Sequence, residues 1–278
     1  MVSRRIVSVA LALGLLLSTI GPAFAAPADG STSDQLPPGL SKKVFIHDDR
    51  ELAKGVAGPQ SSAEAEDDAE TACTISGAPS PDCPTFVFNG THWNPGTLVT
   101  YYVNMNFRLK TSLSQTTAKQ AIDASFQAWQ AKMPLAGGIT FLNRGSTKLA
   151  PGKYDGRNVV GWGSLSSGYL AITTIWYYSS TGQIVETDIA FNNLYKWAYT
   201  APSSCDASAI GCNPPAAGPA GTYDLRNIGT HEAGHTLMLG DLYDPSNSAL
   251  TMYGYGGVNE RSKDSLGQGD ILGIDAAY

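Results

Sequence analysis

Histidine is scarce in this chain, with four in 278 residues. Charge is scarce as well: Asp, Glu, Lys and Arg make up 15%, low for a cytosolic enzyme, so Ser, Thr, Asn, Gln and Tyr must supply much of the polar surface. There is no basic excess. The formal net charge is −6, which argues against a nucleic-acid or anionic-membrane surface. Beyond the first 25 residues no run of about 18 apolar residues occurs, so no spanning helix is expected in the mature chain. The four cysteines, Cys73, Cys83, Cys205 and Cys212, lack C-x₂-C spacing, which disfavours a four-thiolate zinc site. No internal repeat is present.

The N-terminus carries what those absences leave room for. Arg4 and Arg5 precede the apolar run "IVSVALALGLLLSTI" and the small-residue stretch "AFAAPA". This is the layout of a cleaved export signal over residues 1–25, and it predicts a secreted, extracellular protein. Losing Arg4 and Arg5 takes the mature chain to about −8. In an oxidising compartment the two local cysteine pairs predict Cys73–Cys83 and Cys205–Cys212 disulfides.

Residues 26–84 read as a pro-segment or flexible linker. Pro, Gly, Ser, Ala and acidic residues dominate, as in "GVAGPQSSAEAEDDAE", and hydrophobic periodicity is poor. Residues 85–278 read as one globular domain, and 42% hydrophobic residues are enough for a core. "TLVTYYVN", "GITFLNR" and "NVVGWG" are expected strands, and "YLAITTIWYY" with "IVETDIAFN" an expected hairpin. "SLSQTTAKQAIDASFQAWQAKM" is an expected helix with Ser114 as N-cap and Ala118, Ile122, Phe126 and Trp129 on one face. The order predicts a mixed α+β domain closed by a C-terminal helix in "LGQGDILGIDAAY".

Two of the four histidines fall in "HEAGH", residues 231–235. At i and i+4 on a helix, His231 and His235 share one face and can hold one zinc ion. Glu232 then stands beside the metal, where it can act as general base on a zinc-bound water. Catalytic zinc takes three protein ligands and an open position. His47 lies in the expected pro-segment and His92 in an expected loop, so the nearer candidates for the third ligand are Asp241 and Asp244.

The string "HEAGHTLMLGD" resembles the H-E-x-x-H-x-x-G-x-x-H signature of the metzincin metallopeptidases. Asp241 stands in the third ligand's place, as in the snapalysin branch. "SALTMYGYG" resembles the Met-turn, with Met252 as its methionine and Tyr253 after it as in matrixins. The likeness covers roughly residues 86–278 and implies a metzincin-type zincin: a twisted mixed sheet with an antiparallel edge strand, an active-site helix and a C-terminal helix. It also implies that the edge strand, near Leu170–Ile172, pairs with an extended substrate.

The chain departs from the pattern in three places. Met238 replaces the family's turn glycine, so the turn is expected to shift to Gly240, which keeps Asp244 open. The P-R-C-G latency motif is missing, with Cys83 the only substitute for its cysteine. The histidines of a structural zinc site are absent, so one zinc is expected. Calcium is a further candidate cofactor at Asp155, Asn158, Glu186 and Asp188.

The expectation is a monomeric secreted zinc endopeptidase acting on protein or peptide substrates, with His231, His235 and Asp241 as ligands and Glu232 as base. Tyr253 or Tyr255 would stabilise the oxyanion or line the specificity pocket. The competing readings are a non-catalytic secreted zinc-binding module and a metal-dependent hydrolase of a non-peptide amide.

Overall fold

The computed structural model describes residues 36–50, 70–73, 79–106, 113–200 and 218–278. The expected export signal and the Cys205–Cys212 pair lie outside them. The three expected strands and the hairpin fall where β-branched and aromatic residues cluster. They are β2 (Leu98–Asn104), β3 (Thr140–Thr147), β4 (Asn158–Gly163), β5 (Tyr169–Tyr178) and β6 (Ile184–Asn192). A further strand, β1 (Leu40–Asp49), precedes them, and three two-residue strands follow: β7 (Trp197–Ala198), β8 (Tyr223–Asp224) and β9 (Tyr255–Gly256).

Seven strands form one mixed sheet in the order β3-β2-β4-β6-β5-β1-β9. Strands β3, β2, β4 and β6 run parallel; β5 runs antiparallel to β6 and to β1, and β9 lies parallel to β1. With the helices packed on it, this is an α+β fold, as the element order predicted. Strand β5 is antiparallel but is not the edge. β1 pairs along it from Leu40↔Tyr178 to Asp48↔Tyr169, and β9 lies outside β1.

The extra strand falls in the stretch read as pro-segment or linker. Its buried positions are Phe45, His47 and Asp49. A histidine and an aspartate on the inward face remove the apolar alternation by which a strand is recognised. Nearby, Cys73 and Cys83 form a disulfide with Cα atoms 5.5 Å apart. The Glu70 carboxylate accepts from the Tyr243 and Asp244 amides at 2.7–2.9 Å and so ties this segment to the C-terminal third.

Helix α1 (Gln115–Gln130) starts at Ser114, whose hydroxyl accepts from Thr117 N at 3.0 Å, as a side-chain cap should. It buries Ala118, Ala121, Ile122, Ser125, Phe126 and Trp129. Phe126 stacks on Tyr101 of β2 at 4.2 Å. Helix α2 (Leu225–His235) is buried along its whole length and crosses α1 closely. Trp129 Nε1 donates to Thr230 O at 2.7 Å, and Ser125 Oγ donates to Arg226 O at 3.2 Å. Gly229 permits that approach, because a Cβ there would lie 2.6 Å from Ser125 Oγ. Helix α3 (Gln268–Ala277) closes the chain. No helix among the described residues is long and apolar enough to cross a membrane.

Gly229→Ala is therefore expected to lower stability by about 1–3 kcal/mol through overpacking. Adding Ser125→Ala removes the nearest atom and should recover part of the loss in a urea-melt double-mutant cycle.

Candidate metal centre

Helix α2 is a buried helix rich in polar side chains, and such groups are costly unless each finds a partner. Asp224 caps it, accepting from Arg226 N and Asn227 N at 2.9 and 3.0 Å. Thr230 Oγ1 donates back to Arg226 O at 2.8 Å, and Asn227 Oδ1 accepts from Lys263 N at 2.6 Å. His231 Nδ1 meets Thr251 O at 2.8 Å, and His235 Nδ1 meets Leu239 O at 2.9 Å.

These last two contacts decide the chemistry. A carbonyl oxygen only accepts, so each Nδ1 must carry its ring's proton. In the neutral rings both Nε2 atoms then present lone pairs, and the rings point them at one spot. The Nε2 atoms are 3.1 Å apart; Asp241 Oδ1 lies 3.1 Å from that of His231 and 3.5 Å from that of His235. A tetrahedral zinc ion with bonds of about 2.0–2.1 Å sets its ligands about 3.3 Å apart. His231, His235 and Asp241 thus form a set of the right size and donor type for one such ion. Three electron-rich atoms so close favour a positive charge among them.

The local charges agree. Burial pulls His231 down to about 4, which keeps it neutral. At His235 burial also opposes charge, but the Asp241 carboxylate outweighs it and raises the pKa. Burial opposes the charge on Asp241, and His235 and His231 nonetheless hold its carboxyl well below the usual range. The site favours positive charge at this point, carried as a proton or as a metal ion.

Glu232 lies beside the set. Its Oε2 accepts from Thr173 Oγ1 of β5 at 2.5 Å, while Oε1 is buried without a hydrogen bond. Burial pushes its carboxyl up to about 7. The His47 side chain on β1 places Nδ1 3.3 Å from Glu232 Oε1. His47, His231 and Glu232 also form a group able to hold a metal.

The turn after the helix falls on Met238, with φ of +71°, and not at Gly240. Asn89 holds it in place. Its side-chain amide donates to His235 O and Leu239 O at 3.1 and 3.2 Å, and its backbone amide donates to Met238 O at 2.7 Å. The chain therefore reverses early and brings Asp241 to the imidazoles. Asp244 instead caps the turn Pro245–Asn247, accepting from Ser246 N at 2.9 Å. Tyr243 hydrogen-bonds Asp241; burial, and then that carboxylate, push its phenol up.

Met252 is buried under the helix, where a Cβ on Gly234 would collide with its sulfur and lie 2.7 Å from Trp129 Cζ2. Asp270 of α3 accepts from Thr251 N and Met252 N at 2.9 and 3.1 Å, positioning the carbonyl that orients His231. Tyr253 is buried, with its ring 5.7 Å from that of Tyr255 and within 6.0 Å of the Arg50 and Lys263 charges. Tyr255 is half-buried, 5.4 Å from the Tyr243 ring.

The residues considered for calcium are engaged otherwise. Asp188 accepts from Val159 N and Gly152 N at 2.7 and 2.6 Å, and Glu186 accepts from Asp155 N at 2.9 Å. Asn158 Oδ1 accepts from Thr187 N at 2.7 Å. They clamp the 151–158 loop and form no further metal-capable group among the described residues.

The sequence reading misses Thr173, Asn89, Tyr243 and Asp270, and sets His47 aside as part of the expected pro-segment. None carries a spacing signal, since each reaches the centre from another element. In comparisons with known proteins, no family model matches the chain and no characterised protein aligns with it significantly.

Replacing a strained left-handed residue by glycine relieves about 1 kcal/mol. Met238→Gly is therefore expected to raise the melting temperature by about 2–4 °C, read by calorimetry.

Proposed function

We propose that this chain is a secreted zinc endopeptidase of metzincin type, similar to matrixins but with Asp241 as third ligand. One observation carries the reading: two Nδ1-anchored imidazoles and a carboxylate oxygen converge on one point, with the Glu232 carboxylate next to it. The donor set fits zinc in number, type and spacing. When bound, zinc supplies a Lewis acid that polarises a carbonyl and makes water acidic enough to attack near neutral pH.

The chain's own residues perform the proton chemistry. Glu232 Oε1 takes the proton of the attacking water and delivers it to the leaving amine nitrogen. Thr173 holds Oε2 and fixes the carboxylate's rotation. A carboxyl raised by burial suits that double duty, because it can both accept and return a proton. Asn89, Tyr243 and Asp270 orient the ligands from outside, as partners around metal sites do. The second reading, a zinc-binding module without catalysis, draws on the complete burial of His231, Glu232 and His235.

Two variants separate these. Protein recovered from the medium should carry one zinc per chain by elemental analysis. It should digest casein after limited proteolysis and lose that activity to a chelator. Glu232→Ala should keep the zinc and lose roughly 10²–10⁴-fold in rate. Asp241→Ala should lose roughly 10-fold or more in metal affinity. A chain without stoichiometric metal, or a Glu232→Ala chain of undiminished activity, would contradict the proposal.

A further inference from the structure

Of the three residues that face the metal point, His231 and His235 are fixed by α2, and Asp241 lies beyond it. The third donor therefore depends on the loop that carries it. That loop is held first by its own return. Leu242 N donates to Met252 O and Gly254 N donates to Leu242 O, both at 2.9 Å. It is held next by Tyr243, whose phenol hydrogen-bonds the Asp241 carboxylate. The Tyr243 ring packs beside that carboxylate: a Cβ on Gly254 would lie 2.6 Å from Tyr243 Cε1 and 3.1 Å from Asp241 Oδ1.

The last hold comes from far upstream. The backbone amides of Tyr243 and Asp244 and the side-chain amide of Asn247 converge on the Glu70 carboxylate. Tyr243 N donates to its two oxygens at 2.9 and 2.8 Å, Asp244 N to Oε1 at 2.7 Å, and Asn247 Nδ2 to Oε1 at 2.9 Å. Three N–H groups aimed at one point form a concave anion site, and hydrogen bonds to an ionised acceptor are about twice as strong as those between neutral groups. Asn247 has no exposed surface and also donates to Thr71 O at 3.0 Å.

Glu70 has an anchor of its own. Cys73 N donates to Ser246 Oγ at 2.8 Å, and Cys73 is bonded to Cys83. Cys83 is fully buried, in a stretch tied both to α3 and to the turn after α2. Gln268 N donates to Pro81 O, and Gly240 N donates to Val87 O, each at 2.7 Å. Gly269 lets α3 come this close, since a Cβ there would lie 2.9 Å from Cys83 O. The disulfide thus joins the short stretch that carries Glu70 to the framework around the cluster.

We infer that Glu70 is a positioning residue for the metal centre, acting through the Tyr243–Asp244 backbone on Asp241, and that the Cys73–Cys83 disulfide holds it there. Metal retention then depends on residues 70–73, which belong to the metal-binding unit and not to a removable leader. This rests on the reading of His231, His235 and Asp241 as metal ligands and is independent of peptidase activity.

The test is the zinc affinity of the full-length chain, read by competition with a chromophoric chelator, beside the melting temperature of the metal-free chain. Glu70→Ala should weaken zinc binding about 10–100-fold. Glu70→Gln keeps one acceptor oxygen at the same reach and should recover part of that loss. In an Asp241→Ala background, Glu70→Ala should change the affinity by less than about 2-fold, because its effect runs through Asp241. Cys73→Ser/Cys83→Ser should reproduce the Glu70→Ala loss and add little when combined with it. Should the cysteine variant misfold, the Glu70 and Asp241 cycle decides alone. Wild-type zinc affinity in Glu70→Ala with only a lower metal-free melting temperature, or an equal loss with and without Asp241, overturns the inference and leaves the metal centre standing. A wild-type chain that takes up no zinc overturns both.

Discussion

Two backbone carbonyls, those of Thr251 and Leu239, impose the tautomer on which this site depends. By accepting from Nδ1 they leave each Nε2 with a lone pair, and helix geometry sets those lone pairs 3.1 Å apart. Adding the Asp241 carboxylate makes the arrangement unstable without a positive charge in its centre. Much of the C-terminal third serves this constraint. Asp270 fixes the Thr251 carbonyl, Asn89 fixes the Leu239 carbonyl, and Tyr243 fixes Asp241.

The burial of α2 follows from the same need. A helix with this many polar groups can sit in a core only if their hydrogen bonds are satisfied there. Its cap, its threonine back-bond and the contacts from Ser125 and Lys263 supply many of those bonds. Close crossing at Gly229 and Gly234 lets α1 and Met252 press against the helix and hold the imidazole spacing. Rigidity and precision at the cluster thus come from packing on both sides of one short helix. The same tight surroundings make β1 conspicuous, because it brings the His47 imidazole to within 3.3 Å of Glu232 Oε1 from a distant part of the chain.

Much of this was legible from residues in order. The i, i+4 histidines, the intervening glutamate, the Ser114 cap and the β5–β6 hairpin are local patterns, set by helix and strand periods. Met238 was legible as a residue in a glycine's place, but its outcome was not. Gly240 is the cheaper turn by backbone freedom alone. The structure keeps the turn at Met238 because Asn89 ties off the helix carbonyls there. Strand β1 was hidden for a related reason, since its inward face of Phe45, His47 and Asp49 is matched to a polar cluster far along the chain.

The amino-acid order alone determined which side chains could meet one cation on a helix face, because spacing of four residues is a property of the helix itself. Only the tertiary structure decided that Asp241 and not Asp244 joins them, which nitrogens are free, and that β1 covers the cluster. Those outcomes depend on contacts among residues 89, 173, 243, 251 and 270, and their proximity is a result of the sheet and of its packing against two helices.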